Sequence, residues 1–170
     1  IMLTHDDVKI LCLIPARSGS ITVQHKNVRI FNGIPLIAHT ILQASESKYK
    51  HRMRVIVSTD SSKYADIAKS WGAECPFLRP PEISGPTSTD YECINHCVNW
   101  LESNEKYKPD IILQLRPTQP HRKVHDIDRC IDTFLEKRHS YDSLRTVVEF
   151  EKSPFKMYTV TENNSVSPRL

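Results

Sequence analysis

A chain of 170 residues that is 39% hydrophobic has enough apolar material for one ordinary globular domain with a substantial core. Its 23 cations against 20 anions leave a formal charge of +3, which excludes the strongly basic footprint of a dedicated nucleic-acid binder. No apolar run approaches the roughly 20 residues of a membrane span, so neither nucleic acid nor membrane is expected as a partner. The opening IMLTHDDVKI lacks the charged head, apolar core and cleavage site of a signal peptide. Cys12, Cys75, Cys93, Cys97 and Cys130 are odd in number and unpatterned. They are expected to be reduced thiols of a cytoplasmic protein.

The elements alternate between strands and helices. Residues 9–15 and 53–58 (MRVIVS) are short apolar runs with the β-branched enrichment of buried parallel strands. Between them, residues 35–47 (PLIAHTILQASES) repeat apolar side chains at helical spacing, with Pro35 in the favoured first turn. Residues 61–71 predict a second helix, stopped by Gly72, and residues 73–78 a short strand or extended segment ending at Pro80 and Pro81. Residues 88–103 predict a third helix, with Ile94, Cys97, Val98 and Leu101 as its stripe. Residues 110–115 (DIILQL) predict a strand, residues 124–137 a fourth helix, and residues 143–150 (SLRTVVEF) a further strand. From 153 to 170 the periodicity is weak and no closing element is expected, so the chain reads as part of a longer protein. This order implies βαβ units, right-handed crossovers and a parallel sheet.

Ligands of such sheets bind beyond the carboxyl ends of the strands. The loops that matter are therefore 16–27, 59–60, 79–90 and 116–122. The first follows ILCLIP and carries Arg17, Ser18, Gly19, Ser20, Lys26 and Asn27. Small residues with two cations suit a phosphate. They equally suit a surface loop with two solvated cations, because neither GxxxxGK[ST] nor GxGxxG is present. Arg116 or Arg122 offers a guanidinium matched to a carboxylate, and Asp60 reads first as the cap of the helix after it. Cys93, His96 and Cys97 share a helical turn, yet a structural zinc needs a second pair that is absent. His121, His125 and Asp126 are better explained by the start of a helix than by a metal. Trp71 and Trp100 read as packing residues. The run RPTQPHRK is basic but lacks the aromatic interleaving of a nucleic-acid site.

Eight segments carry a wider likeness. They are IPARSGS, KN at 26–27, GIPLIAHTI at 33–41, VSTD at 57–60, GAECPFLRPPEI at 72–83, TSTDYE at 87–92, LRPTQPHR at 115–122 and EKSPFKM at 151–157. Together and in this order they resemble the acylneuraminate, or sialic acid, cytidylyltransferases. The resemblance implies a three-layer α/β/α domain of nucleotide-diphospho-sugar transferase type. It implies transfer of CMP from CTP to a 2-keto-3-deoxy sugar acid, such as sialic acid or a related nonulosonate, with release of pyrophosphate. The alternatives are activation of 3-deoxy-manno-octulosonate, against which RPTQP argues, and a non-catalytic paralogue. Mg²⁺ and a homodimer are also implied.

By the same resemblance Arg17 and Lys26 hold the triphosphate, with Ala16, Ser20 and Asn27 along its path and Asn27 near ribose and phosphate. Arg79 falls on the cytosine side, supported by Ser88 and Thr89; a purely structural turn is the other reading of Arg79. Arg116, Thr118 and Gln119 receive the sugar acid. Lys156 approaches the substrate from across the cleft, and Arg17, Lys26 and Lys156 form the catalytic set. Three departures stand out. Ile21 and Thr22 replace a Lys-Gly pair, which removes one phosphate-facing cation. RPTQP replaces QPTSP. The metal-binding aspartates and dimerisation arm of the family are expected beyond residue 170.

Overall fold

The computed structural model describes residues 8–20, 22–149 and 158–168. Strand β1 (Ile10–Pro15) is its axis. Residues 10 to 14 are wholly shielded from solvent, which requires cover on both faces and a neighbour at both edges. The neighbours are β4 (Met53–Ser58) and β5 (Ile111–Gln114), both parallel to β1, in the order β4-β1-β5. Ile10 lies opposite Met53 on one side and Ile111 on the other.

Side chains alternate across β1 as a strand demands. Ile10, Cys12 and Ile14 join a core with Ile37 and Ile41 of helix α1 (Leu36–Ser45) and Ala68 of α2 (Ser62–Ser70). Ile127, Ile131 and Leu135 of α4 (Val124–Lys137) complete that face. Leu11 and Leu13 point the other way, with Ile56, onto Cys93, Cys97 and Leu101 of α3 (Asp90–Glu105). Helices thus cover both faces of a parallel sheet, which is the three-layer α/β/α arrangement expected from the sequence. The helix at 124–137 and the strand at 53–58 have the bounds read from periodicity alone.

Local chemistry starts and stops these elements. Ser61 caps α2 by accepting from the Tyr64 N–H, and Gly72 ends it at φ 93°. Thr89 and Glu92 form a reciprocal capping box at the start of α3. Before α1, strands β2 (Ile30–Phe31) and β3 (Ile34–Pro35) form a hairpin that the periodicity did not indicate. Its turn, Asn32 at φ 47° and Gly33 at φ 85°, has both central residues in the left-handed region, the geometry Asn-Gly pairs favour.

Residues 73–78 are the extended segment of the two forms expected, with Glu74 alone bridging to Ile56 along the outer edge of β4. Two expectations change. Residues 143–149 form no strand and are exposed throughout. Val147 and Val148 favour extended backbone, but β-propensity without a neighbouring strand to bond makes no sheet. The end of that segment, Phe150, lies outside the described residues. Toward the C-terminus, where no element was expected, β6 (Tyr158–Val160) and β7 (Val166–Pro168) pair as an antiparallel hairpin.

Candidate active site

The chain leaves β1 for β4 on one side and later reaches β5 on the other. The strand order therefore reverses beside β1, where open α/β sheets hold their ligands. A cavity of about 430 Å³ opens there, a size suited to a small-molecule ligand. Arg17, Ser20, Lys26 and Asn27 line it from the loop after β1. Arg79, Ser88 and Thr89 come from the segment before α3, and Arg116 and Thr118 from the loop after β5. Residues as distant in sequence as Pro15 and Thr118 are thus brought together by β1 and β5 ending side by side, with the segment before α3 closing the site.

The loop after β1 is held by its own side chains. The Arg17–Ser18 peptide is gripped at both edges: its carbonyl accepts from Asn27 Nδ2 at 3.0 Å, and its N–H donates to Asp60 Oδ1 at 2.7 Å. The Ser18 hydroxyl donates to Asp60 Oδ2 at 2.6 Å. The Ser20 N–H turns back onto the Ser18 carbonyl at 2.9 Å. Two backbone N–H groups are therefore consumed internally, and the loop presents mainly the positive charge of Arg17 and Lys26. Arg17 is further steadied by donation to the Gly85 carbonyl. His25, at φ 54°, begins the turn that carries Lys26 and Asn27, and its ring Nδ1 meets the Tyr64 hydroxyl at 3.1 Å.

Arg79 is only 6% exposed. Its Nε donates to Ser58 Oγ at 3.0 Å and its Nη2 to the Ser58 carbonyl, while its own N–H reaches the Thr59 carbonyl. None of these partners is anionic, and among the described residues no carboxylate pairs with Arg79. A buried guanidinium with only neutral partners favours an anion in the space it faces. Across the cavity Arg116 is exposed and paired with Asp90, the first residue of α3. The lining thus carries four cations, Arg17, Lys26, Arg79 and Arg116, against the single carboxylate of Asp90.

Arg122 stands behind the last loop and does not line the cavity. Its Nη1 donates to Gln43 Oε1 at 3.0 Å, and its Nη2 to the Arg116 carbonyl and Gln119 Oε1, both at 3.1 Å. Gln43 in turn donates to the Pro120 carbonyl at 2.7 Å. Arg122 and Gln43 therefore set the shape of the loop that presents Arg116 and Thr118, and burial lowers the pKa of the Arg122 guanidinium. Gln119 is tied up in this brace and does not line the cavity. Ala16 is buried beneath it, its N–H on the Ser58 carbonyl at 2.9 Å. Lys156 lies outside the described residues.

Asp60 differs most from its sequence reading. The cap of α2 is Ser61, and the Asp60 carboxylate belongs to Ser18. Asp90 and Cys93, which line the cavity, and the bracing role of Arg122 were likewise not indicated by local pattern. The rejected clusters behave as packing groups. His96 sits edge-on to Phe77, and burial, then the nearby Arg79, lowers its pKa. Burial pushes the Cys97 thiol up to about 12. His121 stacks edge-on against Phe31, and Asp126 meets Arg129. Trp71 and Trp100 pack against the two cores. Among the described residues no three His, Cys, Asp or Glu side chains are grouped to hold a metal, and no helix is long and apolar enough to cross a membrane.

Comparison with known proteins gives this cationic cleft a context. The sequence pattern of the cytidylyltransferase family matches residues 11–165. The chain belongs to that family. The CMP-N,N'-diacetyllegionaminic acid synthase of Legionella pneumophila is 36% identical over 125 residues, covering 74% of this chain and 53% of that protein. The N-acylneuraminate cytidylyltransferase of Streptococcus agalactiae serotype V is 32% identical over 155 residues, covering 91% of this chain and 36% of that protein. The chain thus spans about half, or less, of these relatives. Among solved structures, a CMP:2-keto-3-deoxy-manno-octonic acid synthetase complexed with CTP superposes with a TM-score of 0.60. It is 20% identical, with 76% of this chain and 48% of that one covered. At that identity the likeness supports the fold alone, and it agrees with the parallel three-layer cytidylyltransferase architecture described above.

Proposed function

We propose that the protein of which this chain is a cytidylyltransferase domain transfers CMP from CTP to a 2-keto-3-deoxy sugar acid of the sialic or nonulosonic type. The observation that carries this reading is the cavity at the switch point, lined by four cations and one carboxylate. A triphosphate of about four negative charges needs several converging cations, since each alone is weak in water. In the reaction the anomeric hydroxyl oxygen bonds to the α-phosphorus, the bond to the bridging oxygen breaks, pyrophosphate leaves and a proton is released. Catalysis of this kind is chiefly positioning and charge neutralisation.

In this reading Arg17 and Lys26 hold the phosphates, with Ser20 beside them. Arg79, braced on Ser58, lies at the nucleotide side with Ser88 and Thr89. Arg116 and Thr118 face the acceptor, whose carboxylate suits a planar guanidinium. Arg116 also adds a cation where the family pattern has glutamine, against the one that Ile21 removes. Gln119 acts through the loop, and Lys156 belongs to the same proposal as a group from the far side. The support for a sugar-acid acceptor is the set of relatives named above.

Magnesium, implied by the resemblance, supplies shielding of phosphate charge in such reactions. The described residues do not form a site for it: Asp60 is engaged by Ser18, and Asp90 by Arg116. The roles assigned here are independent of it. Cytoplasmic location is part of the proposal, and its support is the odd, unpatterned set of five cysteines. Homodimerisation is part of the proposal, tested by sedimentation of the full-length protein.

The deciding experiment is pyrophosphate release by the full-length protein with CTP, Mg²⁺ and a panel of acceptors. The panel holds N-acetylneuraminate, a legionaminate, a pseudaminate and 3-deoxy-manno-octulosonate. Release with one nonulosonate, lost in Arg17→Ala, is the expected result. Release with 3-deoxy-manno-octulosonate alone overturns the acceptor class. Tight CTP binding with no turnover on any acceptor points to the non-catalytic paralogue.

A further inference from the structure

We propose that Asp60 is a positioning residue for the nucleotide: together with Asn27 it clamps the Arg17–Ser18 peptide and so aims the Arg17 guanidinium into the cavity. This rests on the reading of the cavity as a CTP site. The clamp is a matter of geometry. One peptide plane is held at its carbonyl by Asn27 Nδ2 and at its N–H by Asp60 Oδ1, from two different elements of the fold. A second bond, from the Ser18 hydroxyl to Asp60 Oδ2 at 2.6 Å, fixes the carboxylate in its plane. Hydrogen bonds to an ionised carboxylate are short and roughly twice as strong as neutral ones. The peptide immediately beyond the Arg17 Cα therefore cannot rotate without breaking the two bonds at its edges.

Capping, the other duty read for Asp60, fails on the structure. The helix that follows has its cap in Ser61, whose own N–H is satisfied by Thr59 Oγ1 at 3.2 Å. Both Asp60 carboxylate oxygens are instead engaged by Ser18. A carboxylate beside a triphosphate site repels the ligand, so its presence there calls for an offsetting service. Fixing the direction in which Arg17 leaves the backbone is that service. The anchor is rigid: Ser58 and Thr59, just before Asp60, are fully buried, and the Ser58 carbonyl accepts from Ala16 at 2.9 Å.

The test uses the full-length protein and three variants. In Asp60→Asn the amide oxygen can still accept from the Ser18 N–H, and the amide NH₂ can donate to Ser18 Oγ. Asp60→Ala loses all bonds to Ser18, and Asp60→Ser, with a shorter side chain, takes its place if the alanine variant does not fold. Hydrogen–deuterium exchange should accelerate across residues 16–20 in Asp60→Ala and stay near wild type in Asp60→Asn. CTP affinity by calorimetry should fall at least about tenfold in Asp60→Ala, the scale expected for a misaimed ligand group. It should stay within threefold in Asp60→Asn, with the loss read in KM for CTP instead of kcat. Asp60→Asn that binds CTP as weakly as Asp60→Ala, while its exchange at residues 16–20 stays near wild type, would show that the charge acts apart from the clamp, and the aiming role is then wrong. Unchanged exchange in Asp60→Ala overturns it equally. A wild-type protein that fails to bind CTP removes the nucleotide reading, while the exchange data still decide the clamp.

Discussion

Replacing Arg79 by methionine separates the cost of its burial from its use. At 6% exposure the guanidinium has surrendered nearly all its hydration, a penalty of several kcal/mol even after relaxation. It recovers this through the two donations to Ser58, each about 1.5–3 kcal/mol for a charged group. The two sides nearly cancel. Methionine of similar length gives up both, but leaves the Ser58 carbonyl and hydroxyl with fewer partners, at about 1–3 kcal/mol. The free protein is therefore expected to change in stability by no more than about 2 kcal/mol. Nucleotide binding should suffer much more, because an anion in the cavity is what a buried, unpaired cation lacks. A CTP concentration of 100 times Kd adds about 2.7 kcal/mol to wild-type stability. A tenfold weaker variant should gain only about 1.4 kcal/mol at the same concentration. Urea unfolding of the full-length protein with and without CTP reads both numbers, with an unchanged m-value showing that the folded states are comparable. Loss of more than about 3 kcal/mol in the free protein, with the CTP increment intact, would refute the argument and make Arg79 a structural tie on β4.

Other consequences are direct. Thr89→Ala should cost about 1 kcal/mol through loss of the α3 cap, measurable by thermal unfolding. Glu92 is held below its ordinary value near 4.5 by the Thr89 N–H, then by the Thr89 hydroxyl. A carboxyl depressed in the folded state stabilises above the unfolded pKa. That contribution is lost as pH falls through the folded one. The stability gap between wild type and Glu92→Gln should therefore be present at pH 7 and shrink as pH falls below the ordinary glutamate value of about 4.3. Burial pushes the Cys12 and Cys97 thiols up to about 12 and Cys75 to about 11. All three should resist iodoacetamide in the native protein at pH 8 and react on unfolding, as mass spectrometry would show. Leu13→Ala, at a side chain with no exposure in the central strand, should lose about 2–5 kcal/mol in chemical denaturation.

The legible parts of the fold were those with a long physical signal. Strand β1 is covered on both faces and reads as an unbroken apolar run, β4 reads as one broken only by Arg54, and α4 repeats Ile127, Ile131 and Leu135 at one helical face. The hairpin at 30–35 has strands of two residues each, too short to show a period of two, although Asn32-Gly33 was its one local cue. Residues 143–149 misled for the opposite reason: their β-branched content is a local property, while pairing needs a neighbour. The site divides the same way. Arg17, Lys26, Arg79 and Arg116 declare themselves by residue type in loops that the alternation places at strand ends. Asp60 does not, because its partner Ser18 is 42 residues away in the chain, and nothing local distinguishes it from a helix cap. Arg122 is hidden likewise, its partner Gln43 lying 79 residues away.

Those hidden contacts share an origin that bears on how the cleft works. The end of β4 supplies Ser58 to Arg79 and Asp60 to the Arg17–Ser18 peptide. Two guanidiniums that reach the cavity from separate segments, the loop after β1 and the stretch before α3, are thus indexed to one stretch of three residues. The Ala16 N–H on the Ser58 carbonyl ties the same stretch to β1. A site that must gather several like charges in one small space faces their mutual repulsion before any ligand arrives. Holding two of them from a single buried strand end fixes their separation against that repulsion. Preorganised charge of this kind need not rearrange when phosphate enters, which is where electrostatic catalysis gains most. Arg116 differs from both: it is exposed, and its ion pair is with Asp90 of α3, not with the end of β4.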